Sequence, residues 1–126
     1  MEEITVDDFK KVEIKIGEII SAENIDGSEK LLKLMVSFGL KPAATEVAAG
    51  SPKSEEKDIR QILSGIKKYV TPESLIGLKC AFVTNLPPRE MMGLTSEGMI
   101  LAASTSDGQF TLLKADQNIP AGTSIK

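Results

Sequence analysis

The sequence contains no histidine and no tryptophan, and it has a single cysteine. Without histidine the chain cannot build a Ser-His or Cys-His nucleophile pair or a histidine metal site. One cysteine cannot form an internal disulfide or a zinc cluster, and Cys80 lies in an apolar run that predicts a small buried residue. No stretch approaches the roughly eighteen apolar residues of a membrane span, and the acidic N-terminal residues are unlike a secretory signal. We therefore expect a cytoplasmic protein with no metal, cofactor or membrane partner and no catalytic group.

The residues that are present have the balance of one globular domain. A chain of 126 residues can enclose one core, and 41% apolar with 26% charged residues is typical of a folded protein. The net charge of −3 is unevenly distributed. Residues 1–29 carry three lysines against nine acids, whereas residues 30–126 carry twelve bases against nine acids. A basic surface is therefore possible in the second region, although evenly scattered charge is the simpler alternative.

Short runs of alternating apolar and polar residues predict half-buried β-strands. The first run is Val12–Ile16, and Gly17 then shifts the alternation, which suggests a bulge or sharp bend. The second run is Leu32–Phe38. The remaining predicted strands cover residues 60–63, 79–84, 99–103 and 110–113.

Two short helices are predicted between these strands. Residues 7–11 can form one turn with Asp7 as its cap, and residues 71–77 have a capping Thr, a Pro in the first turn and a closing Gly. Five or six short strands with a helix between the third and fourth indicate an all-β OB-fold, a five-stranded barrel with short terminal extensions. An SH3-like barrel is the main alternative, but it would not require a helix at that position.

Residues 41–58 interrupt this pattern. They have no consistent apolar face, and they replace what is usually a connection of about 4–6 residues. We expect a flexible insertion between strands 2 and 3, within which residues 45–49 could form an extra strand or helical turn. The whole chain, residues 1–126, is then one domain.

The loop at residues 85–99 contains the most informative polar groups. It joins two apolar strands, and binding residues tend to collect on loops with such rigid supports. Arg89 offers a planar donor fork that suits phosphate, and Asn85 and Ser96 can bond sugar, base edge or phosphate. The same loop could also be a Pro- and Gly-rich turn whose methionines lie in the core. The methionines that could provide an adaptable apolar surface are Met91, Met92 and Met99.

Two weaker signals lie elsewhere. Lys67 and Lys68 precede Tyr69, so this segment could offer cationic and stacking groups to RNA, or Tyr69 could simply be an amphipathic residue at the barrel rim. Lys30 and Lys33 open the second strand, on a hairpin that flanks the binding face of OB-folds. Lysines at strand starts can also be mere solubilising charges.

Successive motifs along the chain resemble those of one family. It is the tRNA-binding domain found at the C-terminus of many methionyl-tRNA synthetases, as a separate β subunit of that enzyme, and as free-standing tRNA-binding proteins. The resemblance covers nearly the whole chain outside residues 41–58. The motifs are Asp8-Phe9, Val12–Gly17, Ala22-Glu23, Lys30–Leu34, Arg60–Ile66, Pro72–Gly77, Asn85-Leu86 with Pro88-Arg89, and Ser96–Ala103.

The resemblance implies a homodimeric OB-fold that binds the tRNA body through its shape and backbone, without catalysis of its own. Ser96 and Met99 match residues at the tRNA surface of the family. Pro87 and Glu90 stand where relatives often have lysines, so we expect modest affinity. The predicted tRNA-binding residues are Lys30, Lys33, Arg60, Asn85, Arg89, Ser96 and Met99.

The predicted function is therefore a non-catalytic tRNA-binding module that acts alone or with a methionyl-tRNA synthetase catalytic chain. The alternative is a protein-binding, chaperone-like module of the same superfamily, which the surface methionines and negative net charge would suit. Salt separates the two, because tRNA binding weakens steeply as salt rises and apolar binding does not.

Overall fold

The computed structural model describes residues 2–40 and 57–125. The predicted insertion at 41–58 mostly lies outside these residues, but its last two, Lys57 and Asp58, already belong to a strand. The helices and strands are α1 Val6–Phe9, β1 Ile14–Asn24, β2 Leu32–Leu40, β3 Lys57–Ser64, α2 Pro72–Leu75, β4 Lys79–Val83, β5 Arg89–Met91, β6 Leu94–Ser96, β7 Met99–Ile100, β8 Ala102–Ser104 and β9 Phe110–Leu112.

Five antiparallel strands form one curled sheet in the order β3-β2-β1-β4-β7. The segment that contains β6 runs along the free edge of β3. There the Glu97 N–H donates to the Gln61 carbonyl at 2.8 Å, and the Leu63 N–H donates to Ser96 Oγ at 3.0 Å. Because these bonds occupy the edge of β3, the sheet curls toward closure. The predicted all-β, OB-like fold is confirmed.

The core lies inside this curled sheet. Alternate residues of β2 point inward, and Leu32, Leu34 and Val36 are completely buried. At one end the rings of Phe38 and Phe82 meet edge to face, with centroids 5.4 Å apart. Helix α2 buries Leu75 in the same cluster. The predicted helix between the third and fourth strands therefore closes part of the core.

Gly17 is a point of close packing rather than a bend. Strand β1 runs through it without a break, and the register shift lies between Ile19 and Ser21. A Cβ atom on Gly17 would lie 2.6 Å from Val36 Cγ1 and 2.7 Å from Phe38 Cε1. The glycine is required because the β2 side chains fill the space that any larger residue would use.

The chain ends are attached to the start of β1. Helix α1 is capped by Thr5 rather than by Asp7, because Thr5 Oγ1 accepts a hydrogen bond from the Asp8 N–H at 3.0 Å. The C-terminal segment pairs with β1, where the Ile125 N–H donates to the Ile14 carbonyl at 2.8 Å. None of the helices in residues 2–40 and 57–125 is long and apolar enough to cross a membrane.

Candidate nucleic-acid interface

The predicted loop at 85–99 contains a small β-hairpin. Strands β5 and β6 pair Arg89 with Ser96 and Met91 with Leu94. The two turn residues, Met92 (φ +53°) and Gly93 (φ +77°), are both left-handed, as a tight two-residue hairpin turn requires. Within the described residues, Met92 is the one residue other than glycine with a positive φ. The hairpin therefore carries an unfavourable backbone conformation at its tip.

Side-chain hydrogen bonds attach the hairpin to β3. Ser96 is buried, and its hydroxyl accepts from the Leu63 N–H and donates to the Gly98 carbonyl, each at 3.0 Å. The Gln61 side-chain amide donates to the Thr95 carbonyl at 2.8 Å. These bonds fix the orientation of the hairpin relative to the barrel.

A hollow lies between the hairpin and β3. Its floor is Leu63, which pairs with Lys33 on the outer face of the sheet and is nevertheless only 4% exposed. Arg89 and Met99 are exposed at its rim. We call this site the hairpin hollow, and it is lined by Leu63, Leu86, Pro87, Arg89, Met91, Ser96, Gly98 and Met99.

A second hollow adjoins the first. Leu63 and Met91 line the first hollow, and Gly65 and Met92, which are close to them in the sequence, line the second. Lys67 holds the turn before β2 in place by donating from Nζ to the Ser28 carbonyl at 3.0 Å. Ser28 Oγ in turn accepts from the Leu31 N–H at 3.0 Å. We call this site the turn hollow and the two together the hairpin surface. The turn hollow is lined by Gly27, Ser28, Glu29, Lys30, Leu31, Gly65 and Met92.

Three of the predicted site residues, Lys30, Arg89 and Met99, are exposed on the hairpin surface. Lys30 and Arg89 are exposed, and neither has an ion-pair partner among the described residues. Lys33 lies on the same outer face, but its Nζ is 3.4 Å from a carboxylate oxygen of Glu23 and is partly neutralised. Met99 is 45% exposed. The surface thus offers cations and an apolar side chain side by side.

The structure places Arg60 elsewhere. It pairs with Val36 on the core face of the sheet, where its guanidinium lies 5.2 Å from the centre of the Phe38 ring. It bonds both carboxylate oxygens of Asp58, at 3.1 and 3.2 Å, and the Thr84 carbonyl at 2.7 Å. Arg60 is therefore not the free surface cation that we expected, because its donors are used to close one end of the barrel.

Asn85 and Ser96 also have framework roles. Asn85 Oδ1 accepts from the Glu13 N–H at 2.8 Å, and its Nδ2 donates to the Lys11 carbonyl at 2.6 Å. The side chain thus joins the start of the hairpin segment to the residues before β1. Ser96 is only 3% exposed. Both residue types suit RNA recognition, but here their polar atoms are used within the protein.

Acidic side chains are interleaved with the cations of this surface. Glu29 precedes Lys30 and Glu90 follows Arg89, and all four residues are exposed. The charge is therefore mixed, which limits the attraction of a polyanion. Residues 2–40 and 57–125 contain no group of three or more side chains placed to hold a metal ion.

Leu63, the buried floor of the hairpin hollow, is a residue of this site that was not predicted from the sequence. A signal for it was present, since Ile62 and Leu63 are both apolar and break the alternation of β3. Such a break indicates a strand that is covered on both faces. The element that covers Leu63 is the β5–β6 hairpin, whose turn sequence does not indicate a hairpin.

Comparison with known proteins gives this surface a context. The tRNA binding domain family matches residues 14–124. The methionine–tRNA ligase of Caldanaerobacter subterraneus subsp. tengcongensis is 42% identical over 122 residues, which are 97% of this chain and 16% of the ligase. That of Methanocaldococcus jannaschii is 41% identical over 126 residues, 100% of this chain and 17% of the ligase. The chain thus spans about a sixth of the length of these relatives.

Solved structures of similar size match over their full length. The MetRS related protein from Pyrococcus horikoshii has a TM-score of 0.81 at 34% identity, with 100% of both chains covered. The CsaA chaperone protein from Picrophilus torridus has a TM-score of 0.76 at 27% identity, with 98% of this chain and 100% of the other covered. With most of its residues matched by the family and a solved relative covered from end to end, the chain belongs to the tRNA-binding domain family.

Proposed function

We propose that the chain is a single non-catalytic tRNA-binding module that contacts the tRNA body through the hairpin surface. The observation that carries the proposal is the position of Lys30 and Arg89 on adjoining hollows of that surface. An ammonium group and a guanidinium fork are suited to two phosphates, and Arg can bind one in bidentate fashion. Met99 lies beside Arg89, where it can pack against a ribose or a base. Lys33 can add a third phosphate contact when it leaves Glu23.

The mode of recognition is shape and backbone rather than anticodon sequence. Phosphate contacts position an RNA without reading its bases, and the hairpin surface offers cations and apolar side chains rather than a row of base-reading amides. Asn85 and Ser96 contribute by holding this surface to the barrel, whereas Arg60 stabilises the end of the barrel. The mixed charge supports a modest affinity for the isolated chain.

We further propose that the module works with a methionyl-tRNA synthetase catalytic chain in the cytoplasm. Two similar proteins are methionine–tRNA ligases of which this chain matches about a sixth. A tethered tRNA-binding domain raises the local concentration of tRNA at the catalytic chain. It would therefore lower the apparent KM for tRNA without changing the chemical step.

The test is the salt dependence of tRNA binding. Each phosphate contact contributes roughly 0.7–0.9 to the slope of log K against log salt. Arg89→Ala should weaken binding to all tRNAs about equally and flatten the slope by roughly one unit, and Lys30→Ala/Arg89→Ala should flatten it by roughly one and a half. A matched control is Lys10→Ala/Lys11→Ala, which removes two exposed lysines near the N-terminus. Equal slopes in the two double variants would contradict the proposal.

A protein-binding function is the second candidate. It is supported by the CsaA chaperone among the similar structures and by three exposed apolar side chains around the hollows, Leu86, Met92 and Met99. Flexible methionines can adapt to many apolar partners. If this function holds, a permanently unfolded polypeptide will bind the chain with little dependence on salt, and tRNA will not compete for it.

We also propose a homodimer joined through the chain ends. Val6, Phe9, Val12 and Ile125 are each more than 40% exposed. The C-terminal segment pairs with the start of β1, close in sequence to Val12, so these side chains can form one apolar patch. Sedimentation should give twice the chain mass for the wild type and the single mass for Phe9→Glu. A monomeric wild type at micromolar concentration would exclude the dimer.

A further inference from the structure

An aromatic pair at the end of the turn after β3 has no role in the function proposed above. Tyr69 ends the turn after β3, and its ring is stacked on Phe110 of β9 with centroids 4.4 Å apart and planes 5° from parallel. Tyr69 is nevertheless 48% exposed. Because Phe110 covers one face of the ring, the exposed area belongs to the other face and the edge.

The position of this ring is fixed by the backbone around it. Ile66 is buried in the core, and its carbonyl accepts from the Tyr69 N–H at 2.9 Å. The same turn is tied to the hairpin surface, since the Lys67 N–H donates to the Lys30 carbonyl at 3.1 Å and Lys67 Nζ donates to the Ser28 carbonyl. The turn that carries Tyr69 is therefore fixed to the segment before β2, and Gly65, at the start of this turn, lines the turn hollow.

The two segments that carry the rings are cationic. Residues 64–70 and 109–114 contain Lys67, Lys68 and Lys114 and no acid. Lys68 and Lys114 are exposed. This differs from the hairpin surface, where an acid adjoins each of the unpaired cations. Cations beside an open aromatic face are the combination that binds single-stranded nucleic acid, because the phosphates are neutralised while a base stacks.

We propose that the exposed face of Tyr69, backed by Phe110, is a stacking platform for an unpaired nucleobase of RNA that is bound at the hairpin surface. Lys68 supplies the nearby positive charge. This inference rests on the proposed tRNA-binding function and adds a contact to it. It makes the chain sensitive to unpaired segments of RNA as well as to the shape of the tRNA body.

Intrinsic fluorescence can test the platform without any mutation. Tyr69 is the only tyrosine of the chain, which has no tryptophan, so tyrosine emission reports this one ring. The probes are a single-stranded oligoadenylate of about ten nucleotides and an RNA duplex of the same length. N-acetyltyrosinamide, titrated in parallel, corrects for light absorbed by the RNA. The single strand should quench the emission in a saturable manner, and the duplex should quench it much less.

Variants then connect quenching to affinity. Tyr69→Leu should weaken binding of the oligoadenylate about fivefold or more with an unchanged salt slope. Tyr69→Phe retains the aromatic face and should bind within about twofold of wild type. Unchanged emission when oligoadenylate or tRNA is bound, or equal affinity of Tyr69→Leu and wild type, would overturn the inference while leaving salt-dependent tRNA binding intact. Quenching by an unfolded polypeptide but not by single-stranded RNA would overturn it too.

If the wild type shows no salt-dependent tRNA binding at all, the proposed function itself fails. The two failures are therefore distinguishable. The fluorescence titration of the wild type also gives a result if Tyr69→Leu proves too unstable to purify.

Discussion

The chain has two arginines, and they lie in regions with opposite properties. Arg60 is at the end of the barrel, where its side chain is 22% exposed and bonded to Asp58 and Thr84. Arg89 is on the β5–β6 hairpin, where it is exposed and has no ion-pair partner among the described residues. One arginine stabilises the fold, and the other is available to a ligand.

This difference follows from which face of a strand each residue occupies. Arg60 pairs with Val36, whose side chain is in the core, so its guanidinium must find partners inside the protein. Asp58, two residues earlier on the same strand, lies on the same face and supplies the carboxylate. Arg89 begins a strand that packs on the outside of the barrel. A basic residue in a strand can therefore be assigned to binding only when its face is known.

The largest effect that separates the two regions is expected from Arg60→Ala. It leaves Asp58 nearly buried without its cation and the Thr84 carbonyl without its donor, so the free energy of unfolding should fall by about 3 kcal/mol. Urea denaturation measures this. Arg89→Ala is the control and should change stability by no more than about 0.5 kcal/mol. Similar losses in the two variants would show that the barrel end does not depend on this ion pair.

The attachment of the hairpin to the barrel is tested by Ser96→Ala. The change leaves the buried Leu63 N–H and the Gly98 carbonyl without their side-chain partner, which should cost about 1–3 kcal/mol. Hydrogen exchange at the Leu63 amide should become faster than at other amides of β3. Thr95→Ala, an exposed neighbour, serves as the control. Unchanged exchange at Leu63 would mean that the hairpin is held by other contacts.

The sequence predicted the barrel better than the hairpin for a physical reason. Burial alternates along β2 from Leu32 to Phe38, and α2 has a Pro in its first turn and a Gly shortly after its end, so local preferences agree with the final structure there. The predicted cap is the exception, because the side chain of Thr71 makes no capping hydrogen bond. Tight hairpin turns are recognised by pairs such as Asn-Gly. Here the turn is Met92-Gly93, and the methionine adopts a backbone conformation that its type disfavours. No local pattern could indicate that hairpin.

The candidate site was predictable only in part for a similar reason. Lys30 and Arg89 both lie in exposed segments. Their positions in the sequence motifs were therefore sufficient to predict that they lie at the surface. The roles of Asn85 and Ser96 depend on partners far along the chain, Glu13 and Leu63. Residue type gave the chemistry of these side chains, but it could not show that their hydrogen bonds are already made.

The pKa of the Cys80 thiol reports how well the barrel interior is shielded from water. Burial raises the pKa of this thiol to about 11, and the positive charge of Lys114 opposes this rise. In the unfolded chain the thiol has its ordinary pKa of 9.0, so it loses its proton at lower pH than in the folded chain. Stability from this group is therefore complete below pH 9 and is lost as the pH rises toward 11. Urea denaturation at several pH values should show this decline.

Cys80→Ala is the control, because other groups also titrate in this range. The difference in unfolding free energy between the variant and the wild type should shrink as the pH rises from about 9 to 11. A thiol reagent should react slowly with the folded wild type and rapidly in urea. Rapid reaction of the folded protein would show that water reaches this part of the barrel.

The smallest expected effect concerns the tip of the hairpin. Asn tolerates the left-handed backbone far better than Met does, so Met92→Asn should stabilise the protein by about 0.5–1 kcal/mol. A competing effect is the loss of the Met92 side chain from the turn hollow, where its Cε lies close to Gly27. Because Met92 is 54% exposed, we expect the backbone effect to dominate. Gly93→Ala isolates that effect, since its new Cβ would meet no atom within 4 Å, and it should destabilise by about 1 kcal/mol. If Met92→Asn lowers stability, the contact between the Met92 side chain and the turn at Gly27 stabilises the tip. The hairpin would then depend on side-chain packing, as the barrel does, and the two regions would differ less than the two arginines suggest.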